Sequence, residues 1–282
     1  MRSPACLLLI AGLLLPANPT AHAQQPAVDA AAAPALPPSP QPAPSPPSSP
    51  PPQAPAAAPA SPDAADLSKP EARRYRILFQ EEIYWYYVFA PRGYRQRPAG
   101  PALLLLHGVG GSGEWSINAW QDVANAEGIL LVAPTLPAGP VIEAAAPALF
   151  RAILAQVRTA WKFDPRRVYV FGHSAGGILA FDAATLDADL FAAAAVHAGI
   201  ITPEYDWILG RAVRKTPIAL YIGDRDEFFP LAKARRTRDA LLAAGFPLTY
   251  VEIPGHSHTF GEIAAQLTRK AWAFLSQHSL PG

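Results

Sequence analysis

The pattern of apolar and polar positions from residue 71 onward alternates between two kinds of segment. Short runs rich in branched and aromatic side chains predict strands, and runs without polar residues are typical of strands buried on both faces of a parallel sheet. Longer stretches with apolar residues at helical spacing lie between them. The predicted strands are residues 76–80, 83–90, 102–106, 129–133, 168–171, 192–197, 218–223 and 248–253. The predicted helices are residues 117–127, 146–162, 175–185, 231–244 and 262–277.

This order of elements predicts an α/β fold in one domain that spans residues 71–282. The first two strands are close enough in sequence to form an antiparallel hairpin. The later strands alternate with helices, and right-handed crossovers of this kind produce a mostly parallel, twisted sheet with helices on both faces. The dipeptide Asp164-Pro165 predicts a turn before the fifth strand.

The composition of the chain changes upstream of residue 71. An apolar stretch at residues 5–15 is too short to cross a bilayer, and Ala21-His22-Ala23 is typical of a cleavage site, so residues 1–23 are a predicted signal peptide. Residues 24–70 are rich in Pro, Ala and Ser, which predicts a disordered linker with polyproline II character. We therefore expect a secreted or periplasmic protein with no stable membrane insertion after signal cleavage.

Charge and cysteine content exclude several partners and chemistries. The formal net charge is +1, which gives no reason to expect nucleic acid or an anionic membrane as a partner. The only cysteine is Cys6, inside the predicted signal peptide, so the mature chain offers no disulfide and no cysteine nucleophile. His256 and His258 stand two residues apart, but no third metal ligand is evident near them. We expect neither a metal nor a cofactor.

The segment from Val168 to Gly177 carries the strongest chemical signal in the sequence. Ser174 stands in a G-x-S-x-G motif between a predicted strand and a predicted helix, the context of a nucleophile elbow. Such a sharp turn strains the serine backbone, and the small residues on either side avoid clashes between strand and helix. A phosphate-binding loop would end in Gly-Lys-Ser/Thr, which is absent. His173 is expected to point away from Ser174 and to pack or form a hydrogen bond near the elbow. His197 is expected to be a packed residue or one that supports the catalytic residues without taking part in the reaction.

Glycines follow the third predicted strand, at residues 107–113. Backbone amides in this loop and at the start of the helix after the elbow are suited to bind a developing oxyanion. The amide of Val109, with that of Gly110 as the next candidate, and the amide of Ala175 are the predicted donors. The alternative is a flexible glycine-rich turn. His107 is expected to be a structural, hydrogen-bonded histidine.

A serine hydroxyl needs a base, and chains with this elbow present Ser, then Asp or Glu, then His. The predicted strand at residues 218–223 runs into three acids. Asp226 is the preferred acid because of its position in that loop, and Asp224 is the alternative. The last predicted strand ends before two histidines. His258 is the preferred base because it lies just before the final helix, and His256 is the alternative.

Several of these motifs resemble those of one superfamily. The segment at residues 164–177 resembles the elbow of secreted esterases of the α/β-hydrolase superfamily, among them feruloyl and acetylxylan esterases, polyhydroxybutyrate-depolymerase-like esterases and esterase D-like enzymes. Residues 223–230 resemble the acid loop of the superfamily, with the match on Asp226. Residues 255–260 resemble its terminal histidine motif, with the match on His258. Residues 107–109 resemble the oxyanion loop.

The resemblance implies an α/β-hydrolase fold with a small or absent cap, because only a short stretch separates Gly199 from Pro217. It implies a serine carboxylic-ester hydrolase that forms an acyl-enzyme and acts on a small-molecule or polymer-linked ester. The alternatives are a prolyl-oligopeptidase-like serine peptidase and a non-catalytic binding protein with the same fold. Aromatic residues in loops are candidates to line an acyl or aryl pocket. They are Trp115, Tyr205, Trp207, Phe228 and Phe229.

Overall fold

The computed structural model describes residues 71–137 and 140–282. The predicted signal peptide at residues 1–23 and the predicted linker at residues 24–70 lie outside the described residues and stay predictions. The strands are β1 (Glu71–Phe79), β2 (Glu82–Ala90), β3 (Gly100–Leu106), β4 (Leu130–Thr135), β5 (Phe163–His173), β6 (Ala193–His197), β7 (Ile218–Gly223) and β8 (Leu248–Ile253). The helices are α1 (Gly113–Glu127), α2 (Pro140–Ala160), α3 (Ala175–Leu186), α4 (Trp207–Arg211), α5 (Leu231–Ala243) and α6 (Phe260–Leu275).

The described strands form one sheet in the order β1-β2-β4-β3-β5-β6-β7-β8. The predicted hairpin is confirmed, because β1 and β2 pair in antiparallel register, and β2 also pairs in antiparallel register with β4. All the other neighbours pair in parallel. The α/β architecture with a mostly parallel sheet is therefore confirmed. Its parallel strands end at one common edge, where the loops that follow β3, β5, β7 and β8 lie.

Helices cover both faces of the sheet, and β3 shows why its sequence lacks polar residues. Leu103 and Leu105 belong to the buried cluster on one face, which includes side chains of α1 and α6. Leu104 and Leu106 belong to the cluster on the other face, which includes side chains of α2, α3 and α5. All four are at most 1% exposed. Fully burying a leucine side chain contributes about 1.5–3 kcal/mol, so each position on this strand favours an apolar residue.

The turn that was predicted at Asp164-Pro165 is wrong, because these residues lie inside β5. The pairing of β5 with β3 is irregular there and skips from Phe163 to Val168. The carboxylate of Asp164 accepts a hydrogen bond from the amide of Arg166 at 2.9 Å. Proline cannot donate to the ladder, so these residues form a local irregularity after which the strand resumes.

Helices α1 and α2 begin earlier than predicted, at Gly113 and Pro140. The N-terminal cap of α1 is Ser112, whose Oγ accepts a hydrogen bond from the amide of Trp115 at 3.1 Å. A serine cap satisfies one of the free amides of a first helical turn. Part of the glycine-rich segment that predicted a loop is therefore the start of a helix.

The connection between β6 and β7 is short, as expected for a small cap. It contains a 3-10 helix at Pro203–Tyr205 and the five-residue helix α4. Ile208 and Leu209 of α4 are buried and belong to the apolar core. Within the described part of the chain, no helix has both the length and the apolar character that a membrane crossing requires.

Candidate active site

Ser174 occupies a strained turn between β5 and α3. Its backbone angles are φ 57° and ψ −121°, a conformation that residues other than glycine rarely adopt. A Cβ on Gly172 would overlap the carbonyl oxygen of Gly176, and a Cβ on Gly176 would overlap the carbonyl oxygen of Leu106. The two glycines of the motif therefore allow strand, turn and helix to approach closely, which agrees with the prediction from the sequence.

Hydrogen bonds connect the predicted nucleophile, base and acid in series. The Oγ of Ser174 is 2.8 Å from Nε2 of His258, and Nδ1 of His258 is 2.8 Å from Oδ2 of Asp226. A carboxylate can only accept a hydrogen bond, so Nδ1 of His258 carries the proton and donates to Asp226. Nε2 of His258 is left to accept a hydrogen bond from the serine hydroxyl. The three residues follow β5, β7 and β8, whose carboxyl ends lie at the same edge of the sheet.

Asp226 is held as a carboxylate that points at the imidazole. Its side chain is 0% exposed, and its Oδ1 accepts hydrogen bonds from the amides of Phe228 and Phe229 at 3.0 and 2.7 Å. Burial alone raises the pKa of Asp226, but the hydrogen bonds from His258 and from these two amides outweigh it and leave the pKa below its ordinary value. The group is therefore charged at neutral pH.

The other two acids of the loop after β7 bind backbone amides of the loop after β8. The alternative acid, Asp224, accepts a hydrogen bond at Oδ1 from the amide of Gly255 at 2.7 Å. Glu227 accepts one at Oε2 from the amide of His258 at 3.2 Å. Neither carboxylate is hydrogen-bonded to a histidine ring in the described residues. Sequence reasoning missed these roles, because both partners are 31 residues away along the chain.

The alternative base, His256, is buried away from the serine hydroxyl. Its residue is 5% exposed, its ring packs against His197 with 5.4 Å between ring centroids, and its Nε2 has no hydrogen-bond partner in the described residues. Its backbone is used instead, since its carbonyl oxygen accepts from the amide of Arg225 at 3.0 Å. A Cβ on Gly223 would overlap that same carbonyl oxygen. The loops that hold the acid and the base thus lie in direct contact.

The loop after β3 lies against the nucleophile. A Cβ on Gly108 would be 3.1 Å from the Cβ of Ser174, so this position has room only for glycine without a shift. Within residues 71–137 and 140–282, the amides of Val109 and Gly110 donate to no other group. Ala175 is the first residue of α3, and its amide likewise has no acceptor there. Free donors in this loop, together with one at the N-terminus of α3, suit a developing negative charge.

His107 fixes the path of that loop. The amide of Leu136 donates to its Nε2 at 2.9 Å, so the proton is on Nδ1, which donates to the carbonyl oxygen of Gly108 at 2.7 Å. Burial lowers the pKa of His107 more than this second bond raises it. The residue is therefore a neutral structural histidine, as the sequence predicted.

His173 packs near the elbow, as predicted, but its partners were not foreseen. Its Nδ1 is 3.0 Å from Nδ1 of His197, and the two rings are stacked with 5.0 Å between centroids. The ring of His173 also lies 5.1 Å from the ring of His258 and 5.5 Å from that of Phe260. One signal was available in the sequence: His197 ends one predicted strand, and His173 follows the end of the preceding predicted strand by two residues.

The predicted pocket aromatics divide into two groups. The rings of Phe228 and Phe229 lie 4.8 and 5.5 Å from that of His258, and Phe228 is 44% exposed. Trp115 is 41% exposed and packs edge-on against Phe260. By contrast, Tyr205 packs against the core, and the guanidinium of Arg211 lies over the ring of Trp207.

A matched pair of substitutions separates the roles of the two aspartates. Asp226→Asn is expected to lower kcat about 10⁴-fold, because the new amide favours the wrong tautomer of the facing imidazole. Asp224→Asn keeps an oxygen for the amide of Gly255 and is expected to change kcat only slightly. Steady-state kinetics on both variants, with thermal unfolding as a check on folding, measures this. Equal losses in the two would contradict the assignment.

Comparison with known proteins gives one family match. The profile of the dienelactone hydrolase family matches residues 138–274. No curated protein matches the sequence. Within the described residues, no group of three or more His, Cys, Asp or Glu side chains is arranged to hold a metal ion.

Solved structures of similar fold include three that are named for ester or thioester hydrolysis. A thermostable esterase is 18% identical with a TM-score of 0.60, and the match covers 74% of this chain and 63% of that one. S-formylglutathione hydrolase from Staphylococcus aureus is 14% identical with a TM-score of 0.61, covering 74% and 97%. A feruloyl esterase module from Clostridium thermocellum, in complex with sinapinate, is 14% identical with a TM-score of 0.61, covering 71% and 86%.

Proposed function

Because the chain has the α/β-hydrolase fold, as its motifs implied, we propose that it is a serine hydrolase of the esterase type with Ser174 as nucleophile. The observation that carries the proposal is the hydrogen-bonded series from Ser174 through His258 to Asp226, with 2.8 Å at each step. A hydroxyl that donates to a neutral imidazole, itself oriented by a buried carboxylate, is the arrangement that activates serine.

The reaction proceeds through an acyl-enzyme. Nε2 of His258 takes the hydroxyl proton while the Oγ of Ser174 forms a bond to the ester carbonyl carbon. The protonated imidazole then gives that proton to the departing alkoxide as the carbon–oxygen bond of the ester breaks. Water attacks the acyl-enzyme by the same proton route in reverse and releases the acid. Asp226 stabilises the imidazolium in both halves.

The oxyanion of each tetrahedral intermediate binds the amides of Val109 and Ala175, with that of Gly110 as the next candidate. Their lack of an acceptor within the described residues supports this assignment. Removing one such donor typically costs about 10²–10³-fold in kcat.

Exposed apolar side chains near the nucleophile favour an ester with an apolar or aromatic acyl group. Val109, Trp115 and Phe228 expose 50%, 41% and 44% of their surface. Val109 lies in the loop after β3, Trp115 in the first turn of α1, and Phe228 in the loop after β7. An aromatic side chain contributes a large apolar contact at little entropic cost. We propose further that residues 1–23 direct export of the chain, that the protein acts on its substrate after export, and that residues 24–70 act as a spacer.

The test uses the full chain and separates three outcomes. Nitrophenyl butyrate, methyl ferulate and a peptide nitroanilide are assayed side by side, and a fluorophosphonate label is located by mass spectrometry. Hydrolysis of the esters with the label on Ser174 is expected. Faster cleavage of the peptide amide would identify a peptidase of the prolyl-oligopeptidase type instead. No turnover and no label would overturn the proposal and leave a binding protein.

A further inference from the structure

A pair of histidines lies behind the proposed catalytic imidazole and has no part in the mechanism above. His173 ends β5 and His197 ends β6, and the two residues are register partners in parallel strands. Their side chains therefore stand side by side on one face of the sheet, where Nδ1 meets Nδ1 at 3.0 Å. One nitrogen must offer a lone pair for the other to donate to, so the pair cannot consist of two imidazolium ions.

The ring of His173 fills the space between three parts of the site. The centroid of its ring lies 5.1 Å from that of His258, with the two rings tilted, and 5.5 Å from that of Phe260. A Cβ on Gly108 would be 3.3 Å from Cδ2 of His173, so the ring also abuts the loop with the proposed oxyanion donors. A rotation of this one ring would disturb both the base and that loop.

His197 has no direct part in the chemistry but holds the elbow at two points. Its carbonyl oxygen accepts a hydrogen bond from the amide of Ser174 at 3.0 Å, and its imidazole is bonded to the ring of His173. The residue is 0% exposed. Adjacent residues of the elbow are therefore held by one buried residue of the neighbouring strand.

Burial keeps both rings uncharged. Burial, with a smaller effect of the neighbouring His258, lowers the pKa of His173 to about 3. Burial likewise lowers the pKa of His197 well below its ordinary value. A neutral pair at neutral pH does not oppose the positive charge that forms on His258 during the reaction.

We infer that His173 and His197 are positioning residues. The hydrogen bond of this uncharged pair fixes the ring of His173, which packs against His258 and holds it in line with Ser174. The inference rests on the proposed function, because its effect is on that reaction. Of the two histidines, only His173 has its ring against that of the base. Every side-chain variant of His197 keeps the carbonyl oxygen that binds the amide of Ser174, so the polar contribution of its side chain is transmitted through the bond between the two Nδ1 atoms.

Two substitutions of His197, by residues that are isosteric with each other, test the hydrogen-bonded pair. Asn and Leu have nearly the same shape, but only Asn offers a polar atom near the position of Nδ1. His197→Leu is expected to lower kcat about 10- to 100-fold with KM unchanged, since a small misplacement of the base has effects of that size. His197→Asn is expected to retain most of kcat. The amplitude of the acylation burst counts competent sites, so misfolded protein does not enter the comparison.

A second measurement needs no variant. In ¹⁵N-histidine-labelled wild-type protein, the ring nitrogens of His173 and His197 are expected to keep the shifts of neutral imidazole from pH 5 to pH 9. Protonation of either ring in that range would overturn the inference. So would equal kcat for the Asn and Leu variants, which is the outcome of a packing role alone. Wild-type protein without esterase activity would overturn the proposed function instead, and the spectra would still test the pair.

Discussion

Replacing Ser174 with alanine is expected to lower kcat for ester hydrolysis by about six orders of magnitude, the loss seen when a serine of this kind is removed. Its Oγ atom is the proposed bond-forming group, because it donates to Nε2 of His258, which acts as the base, and the carboxylate of Asp226 lies buried behind that imidazole. The residual rate comes from binding and from the oxyanion donors alone. Single-turnover and steady-state assays on the full chain measure both the loss of kcat and the residual rate.

Ser174→Gly provides the matched control for folding. Alanine keeps the strain of a Cβ at φ 57°, whereas glycine relieves it. Strain of this kind costs about 1–3 kcal/mol, so the glycine variant is expected to unfold at a higher temperature than the alanine variant while remaining equally inactive. Ser276→Ala removes an exposed hydroxyl beyond α6 and is expected to keep wild-type kcat. Turnover close to the wild-type rate in either Ser174 variant would place the nucleophile elsewhere.

The parallel strands were predicted well because their local sequence pattern is typical of a buried strand and of no other element. Ile218–Gly223 and Leu248–Ile253 match the observed β7 and β8 at both ends. β7 is buried along its whole length, and its apolar residues are bounded by Pro217 and by Gly223, which lies against the loop after β8. Burial on both faces removes the need for alternation, so a short, continuous apolar run between turn residues suffices to locate such a strand.

The starts of helices and the irregularity in β5 were not predictable in the same way. Glycine and proline normally mark loops, but Gly113 is the first residue of α1, at a point where a Cβ would overlap the carbonyl oxygen of Ala133. Pro165 stays within β5 because the local pairing with β3 is already broken. In both cases a contact with a distant residue overrides local preference, and no local pattern reports it.

Within the site, the sequence located the three residues now joined by hydrogen bonds but not their supports. Asp226 and His258 could be chosen because each stands at a fixed distance after a strand, and both distances match a known motif. The contacts of Asp224 and Glu227 with the last loop join positions 31 residues apart and follow only from the packed structure. The pair formed by His173 and His197 likewise depends on which strands are neighbours.

Replacing the two histidines of the last loop one at a time is expected to give opposite results. His258→Ala should lower kcat by about six orders of magnitude, because Nε2 of His258 is the only ring nitrogen hydrogen-bonded to Ser174 in the described residues. Its side chain is 13% exposed, so added imidazole has access to the space left behind and is expected to restore part of the rate. Steady-state kinetics with and without imidazole measures both effects.

His256→Ala, in contrast, is expected to act on stability. Its ring is buried against His197, and the part of the residue that joins the two loops is its backbone carbonyl, which the substitution keeps. Losing the packed ring should cost about 1–3 kcal/mol in the free energy of unfolding. The value of kcat for each competent site, counted by the acylation burst, should stay within about tenfold of wild type, because Ser174, His258 and Asp226 remain joined. A loss of several orders of magnitude in His256→Ala, with His258→Ala still active, would reverse the roles of the two residues.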